Sequence, residues 1–427
     1  MPGEIRMARW TPAWFAAGLG MLFLALILMA MGHGVPRAAW EAGESRAILH
    51  LLAVGWIGTL MIGASLQFVP VLTAVPVTLA WLSPVALGFW SGGALSLALG
   101  FWHAWPGAFT LAAVLLAMAA AMALAMLAPC MVRALARVPM ALLLALSLAG
   151  MAATVALGVA FALGRAGLVP LAPGPSLRLL HGFLGLALWF TLGAMALSFQ
   201  FLAMFGLAPQ PPRRSLRALA ALAALAAAAT LAALALPAAG PRPMLVASLA
   251  AVALYLGTGA RMNRQRKLKK PDISLRGGLW AAATLGPAAM VLVAAALARS
   301  QALTLAGGAL LLLGWLSGLT LAFIPKIIGF LTWMEVFGPR MGRAPVPPTA
   351  ALTDARRVAS GLALWALGAA VLAAALAFGL ARPAQDAALL LLTGAGTIAH
   401  ETWAVRRLAH LPPDPLSAPP RILQITL

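Results

Sequence analysis

Apolar runs long enough to cross a bilayer follow one another from near residue 13 to near residue 405, separated by short polar or proline-containing stretches. A hydrocarbon core about 30 Å thick takes about 20 apolar residues of helix. On that ruler the runs lie near 13–32, 47–69, 76–100, 107–129, 139–164 and 179–207, then near 216–237, 243–260, 277–298, 302–337, 358–381 and 386–405. The tenth is long enough to include an interfacial extension. Charged residues make up 9% of the chain and apolar ones 63%, too little polar surface for a soluble domain. The sequence predicts an all-α, polytopic membrane protein whose first partner is the lipid bilayer, and excludes soluble enzymes and disordered scaffolds. Pro70, Pro76, Pro106, Pro139, Pro237, Pro243 and Pro383 are expected at or beside the helix breaks.

The formal charge of +20 reflects 29 basic residues against 9 acidic ones. Basic residues between spans record orientation, so no nucleic-acid partner is inferred. With twelve spans and a cytoplasmic N-terminus, 21 basic residues fall inside, among them Arg6, Arg9, Arg421 and the run from Arg261 to Arg276. Only seven fall outside: Arg37, Arg46, Arg165, Arg178, Arg242, Arg299 and Arg382. That asymmetry predicts a multi-pass protein of a bacterial-type cytoplasmic (inner) membrane with both termini inside. The first run exceeds a signal-peptide core and lacks an A-x-A site after it, so it is expected to stay as the first helix. Cys130 is the only cysteine, which rules out an intrachain disulfide and a thiolate metal cluster.

Three segments align without gaps on a tryptophan and a polar residue eleven positions later: Trp56 to Gln67, Trp189 to Gln200, and Trp315 to Lys326. Gly63, Ala196 and Ala322 align between them, as do Ser65 and Ser198. These segments are helices 2, 6 and 10 of the count. The pattern predicts one integral membrane domain, 1–427, made of three four-helix repeats at about 1–135, 136–272 and 273–427. Gln67, Gln200 and Lys326 then sit toward the cytoplasmic end, where Lys326 can snorkel to the interface.

Ionisable groups inside a bilayer are costly and are functional candidates. The spans are nearly bare of carboxylates, which speaks against proton coupling, and four of the six histidines fall toward one face. His33 ends helix 1, His50 begins helix 2, His103 follows helix 3 and His181 begins helix 6. Imidazole is the commonest metal and haem ligand, and Met29 and Met31 beside His33 add thioethers that suit copper. His50 precedes its repeat tryptophan by six residues and His181 by eight. At α-helical pitch the two imidazoles lie on different faces of the repeat, so a simple symmetric site is not expected.

Twelve helices in three repeats, with His50-LLAVGW and His181-GFLGLALWF high in helices 2 and 6, resemble subunit I of the heme–copper oxidase superfamily. The resemblance is closest to the cbb-type and nitric-oxide-reductase branch and to NnrS-type haem–copper membrane proteins. It implies that His50 is the axial ligand of a low-spin haem and that His181 binds a non-haem metal. Helices 7 and 10 lack the family's histidines, and Tyr255, the only tyrosine, lies in helix 8. No complete binuclear centre can be built, so oxygen or nitric oxide reduction is not expected.

The resulting expectation is a membrane protein that binds haem b or copper through His50 and His181, with His33 and His103 as further metal ligands. Its role is accessory to respiration or nitrogen-oxide metabolism: electron transfer, or the handling or sensing of a gas or metal, with a redox partner or small gas as ligand. The alternatives are a permease for a small solute, which helices 4 and 8 broken at mid-membrane would favour, and a structural membrane subunit.

Overall fold

The computed structural model describes residues 10–235 and 241–412. Arg6, Arg9, Pro237 and Arg421 lie outside the described residues. The described residues form long helices and no strand: α1 Thr11–Ala30, α2 Gly43–Thr73, α3 Ser83–His103, α4 Pro106–Ala134, α5 Ala141–Arg165, α6 Pro175–Gly206, α7 Arg213–Ala235, α8 Arg242–Arg264, α9 Ile273–Ala298, α10 Gln301–Val336, α11 Ala355–Phe378 and α12 Ala381–Arg406. The first eleven are each long and apolar enough to cross a membrane. The last is 26 residues long, with Gln385, Asp386, His400 and Glu401 toward its ends.

Helix starts follow local chemistry. Proline, whose missing N–H is no loss in a first turn, stands there in α1, α3, α4, α6 and α8. Asp272 caps α9 by accepting from the Leu275 N–H at 2.9 Å, and Ser300 caps α10 through the Leu303 N–H at 3.3 Å. Asp354 accepts from the Arg356 and Arg357 N–H groups at the start of α11, and those bonds hold its carboxyl below the usual range. Two sequence expectations are corrected. Residues 76–79 precede α3 instead of starting it, and Pro70 lies within the last turn of α2. So near a helix end, the absent N–H costs one hydrogen bond and does not stop the helix.

Burial separates the helices into a centre and a rim. In the most apolar stretch of α2 and of α6, 67% of residues are buried, and in α10, 83%; no other span so compared exceeds 50%. The three central helices touch in a closed triangle. Phe68 of α2 meets Phe201 of α6 at 5.0 Å, Phe201 meets Phe323 of α10 at 4.5 Å, and the Trp56 indole of α2 donates to Ser317 Oγ of α10 at 2.8 Å. Around them, α1 packs against α12, α3 against α4 and α11 against α12.

Each central helix changes pitch at the same place. Leu51–Gly58, Phe183–Thr191 and Leu310–Ser317 are π-helical, and they contain Trp56, Trp189 and Trp315 respectively. A π turn shifts the backbone ladder by one residue and leaves carbonyls that need other donors, and the bilayer interior supplies no water to serve. The donors come from neighbouring side chains. The Trp90 indole of α3 bonds the Val54 carbonyl at 3.0 Å, and the Trp365 indole of α11 bonds the Leu313 carbonyl at 2.8 Å. Each acceptor stands two residues before the aligned tryptophan. In the second of these segments the Ser147 hydroxyl of α5 donates to the Trp189 carbonyl at 2.7 Å. Gly58 admits this packing, because a Cβ there would come within 2.9 Å of the Trp90 ring and 3.3 Å of Trp189.

These indoles are testable. Trp365→Phe and Trp90→Phe keep an apolar ring but remove the indole bond to a carbonyl of the π segment. Each is expected to destabilise the protein in detergent by about 1–3 kcal/mol, and the two losses should add because the sites are separate. Trp14→Phe, which removes a 3.0 Å bond to the rotatable Ser83 hydroxyl, should cost less. Equal losses in all three variants would contradict a special role for the π carbonyls.

Candidate functional site

His50 stands at the junction of the α-helical first turns of α2 with its π segment, and His181 stands two residues before the π segment of α6. The His50 imidazole is fixed in two ways. Its Nδ1 is 2.7 Å from the Arg46 carbonyl, one turn back, and its ring stacks on Phe101 of α3 with centroids 4.7 Å apart. With Nδ1 donating to that carbonyl, the other ring nitrogen is the acceptor, and among the described residues it has no hydrogen-bond partner. A ring held this way has the tautomer and orientation of a metal ligand with its outer support in place.

The His181 Nδ1 is buried without a hydrogen-bond partner. Its ring lies 5.4 Å from that of Phe161, and Thr154 approaches it through the backbone. Gly158 on α5 leaves the space for it; a Cβ there would lie 3.1 Å from the imidazole Cε1. His50 and His181 are close enough for the charge of one to act on the other. The two-residue difference in their distance to the aligned tryptophans is kept, because each interval crosses a π segment, 51–58 and 183–191.

The other two histidines of this end are arranged differently. His33, in the loop after α1, pairs with Glu44 at 3.0 Å and meets Trp102 edge-on at 5.0 Å. It lines a small cleft with Met29 and Gln385, while Met31 is exposed. His103 is exposed at the last residue of α3. Among the described residues no group of three or more His, Cys, Asp or Glu side chains is placed to hold a metal ion. Of His33, His50, His103 and His181, His50 and His181 lie within electrostatic range of each other.

Three arginines that the histidine pattern did not single out lie at the same helix ends. Arg46 precedes His50 by one turn, Arg178 precedes His181 by three residues, and Arg165 ends α5. The Arg165 guanidinium lies 5.6 Å from the centroid of Phe101, the ring that stacks on His50. The only signal in the sequence was an arginine about one turn ahead of each histidine.

The polar positions of the alignment lie apart from this cluster. Gln67 is buried and accepts from the Thr11 hydroxyl at 3.0 Å. Gln200 is half-buried. Lys326 pairs with Asp272, the cap of α9, and sits over the Phe205 ring at 4.6 Å. The remaining histidines belong to the opposite helix ends. His400 is exposed, and His410 lies 2.9 Å from the buried Glu401 carboxylate, which also pairs with Arg357 at 3.4 Å. Arg406 pairs with Glu335 at 2.8 Å.

No protein-family model matches this chain, and no curated protein is significantly similar to it. The candidate site therefore stands on its own geometry. Chemical labelling separates its members. Diethyl pyrocarbonate is expected to modify His103 faster than His50 or His181. Gly158→Val, which drives a methyl group into the His181 ring, should raise the labelling of His181 without changing that of His50. Uniform labelling of all three in the unsubstituted protein would contradict the arrangement.

Proposed function

We propose that this is a haem- or copper-binding protein of the cytoplasmic membrane, held in a degenerate heme–copper oxidase-like fold of three four-helix repeats. Both termini are cytoplasmic in this reading, so the His50 and His181 end faces outward. The role is accessory to respiration or nitrogen-oxide metabolism, in electron transfer or in handling or sensing a gas or metal, with no oxygen reduction.

The observation that carries the reading is the pairing of an anchored imidazole with an unpartnered one. His50 keeps a free ring nitrogen, and His181 keeps a buried nitrogen without a hydrogen bond. A buried unpaired nitrogen is costly unless something binds it. Two imidazoles suit the axial positions of a haem better than a closed copper site, because His33 is engaged by Glu44 and His103 is exposed at the end of α3. Haem held there supplies a one-electron couple, and with one axial position open it also supplies a place for a diatomic gas. The chain's own part is to fix the His50 ring through the Arg46 carbonyl and Phe101, and to keep His181 in an apolar niche against Gly158 and Phe161. The repeat reading draws support from the three π segments on the aligned tryptophans and from the matched Trp90 and Trp365 bonds.

For the permease alternative, α4 and α8 are each a single continuous helix, so nothing specific favours it. Purification followed by an absorption spectrum and iron and copper analysis tests the proposal. A haem spectrum, or stoichiometric copper, is expected in the unsubstituted protein and should be lost in His50→Ala/His181→Ala. Colourless protein free of both metals, with no difference in the double variant, would overturn it.

A further inference from the structure

We propose that a small cavity between α2, α4, α5 and α6, bordered by Met61, Met131 and Met151, is a site for a soft monovalent metal ion of the copper(I) class. The three methionines come from three different helices, so the packing and not a sequence run gathers them around one space. Met131 and Met151 are buried and Met61 is half-buried. Ser147 of α5 fixes one wall of the cavity, since its hydroxyl donates to the Trp189 carbonyl at 2.7 Å. Gly193 of α6 lets Met61 reach that wall. A Cβ there would stand 2.6 Å from the Met61 Cε and 2.6 Å from the Ser147 Oγ. Eleven residues of helix separate Met61 from His50, which puts the cavity apart from the imidazole pair.

Size and chemistry choose the occupant. The space is about 20 Å³, room for one water-sized body and not for an organic solute. Methionine often fills gaps in a core, yet here three of them border a gap that stays open. Thioether sulfur is a soft donor that suits copper(I). No carboxylate, imidazole or thiol is among the lining residues, so the donor sets of zinc and of the hard cations calcium and magnesium are absent from this cavity. A single charge on neutral donors is also the smallest electrostatic burden that a metal can bring into a bilayer interior. The Ser65 hydroxyl borders the same space and has no hydrogen-bond partner among the described residues, which gives the ion an oxygen neighbour beside the three sulfurs. The inference does not rest on a cofactor at His50 and His181, and its readout needs none.

The test uses silver(I), which has the charge and softness of copper(I) without its redox chemistry. The full chain carrying His50→Ala, His181→Ala and Cys130→Ala, so that neither the imidazole pair nor the thiol competes, is dialysed against silver(I) in chloride-free detergent and analysed for retained metal. Stoichiometric silver is expected, with sulfur dominating its first shell in X-ray absorption. Adding Met61→Leu, Met131→Leu and Met151→Leu should remove it, because leucine keeps the size and apolarity of methionine but offers no donor. If that combination does not fold, Met131→Leu and Met151→Leu singly carry the test, each with less silver retained. Silver held equally with and without the methionines, no silver held with them, or a first shell of nitrogen or oxygen overturns the proposal. A failure of the haem or copper reading at His50 and His181 leaves this result untouched, since the protein tested lacks both imidazoles.

Discussion

A bilayer interior offers no water to an unpaired carbonyl, and the centre of this protein is organised by that one rule. Three central helices lose the regular α ladder over eight or nine residues each. Every such interruption has to be repaired by a donor from a neighbouring helix. The Trp90 and Trp365 indoles and the Ser147 hydroxyl are such donors. Repair couples the helices: the rim helices cannot slide along α2, α6 or α10 without breaking a bond that nothing in hydrocarbon replaces. The irregular backbone thus fixes the register of the bundle where uniform apolar packing among leucines and alanines would leave it loose.

The same interruptions set up the candidate site. His50 directly precedes one π segment and His181 nearly adjoins another. Rotation of the helix over those turns changes which way everything above them points, so the imidazoles are aimed by backbone pitch as much as by their own rotamers. Phe101 then joins the two halves of the cluster, with His50 stacked on it and Arg165 near it. One ring thus touches the His50 imidazole on one side and lies near the Arg165 guanidinium on the other.

The spans were legible in the sequence because hydrocarbon thickness imposes a length, and because prolines such as Pro106 mark helix starts by known chemistry. The tryptophan alignment was legible as a spacing. Its meaning was not, since LLAVGWIG, FLGLALWFT and LLLLGWLS read as ordinary apolar helix and carry no mark of altered pitch. Depth is visible in a hydropathy pattern, whereas which side chains meet is not, so the pairing of His33 with Glu44 and the stacking of His50 on Phe101 come only from the packing.

The packing of α1 against α12 has a bearing on how the protein is made. The side-chain amide of Gln385 reaches the Ala30 carbonyl at 3.4 Å across 355 residues of chain. The inward face of α1 includes Trp14, Leu22 and Leu26, and Trp14 is also bonded to Ser83 at the start of α3. A chain that lacked α12 would leave α1 without the partner that closes this side of the bundle.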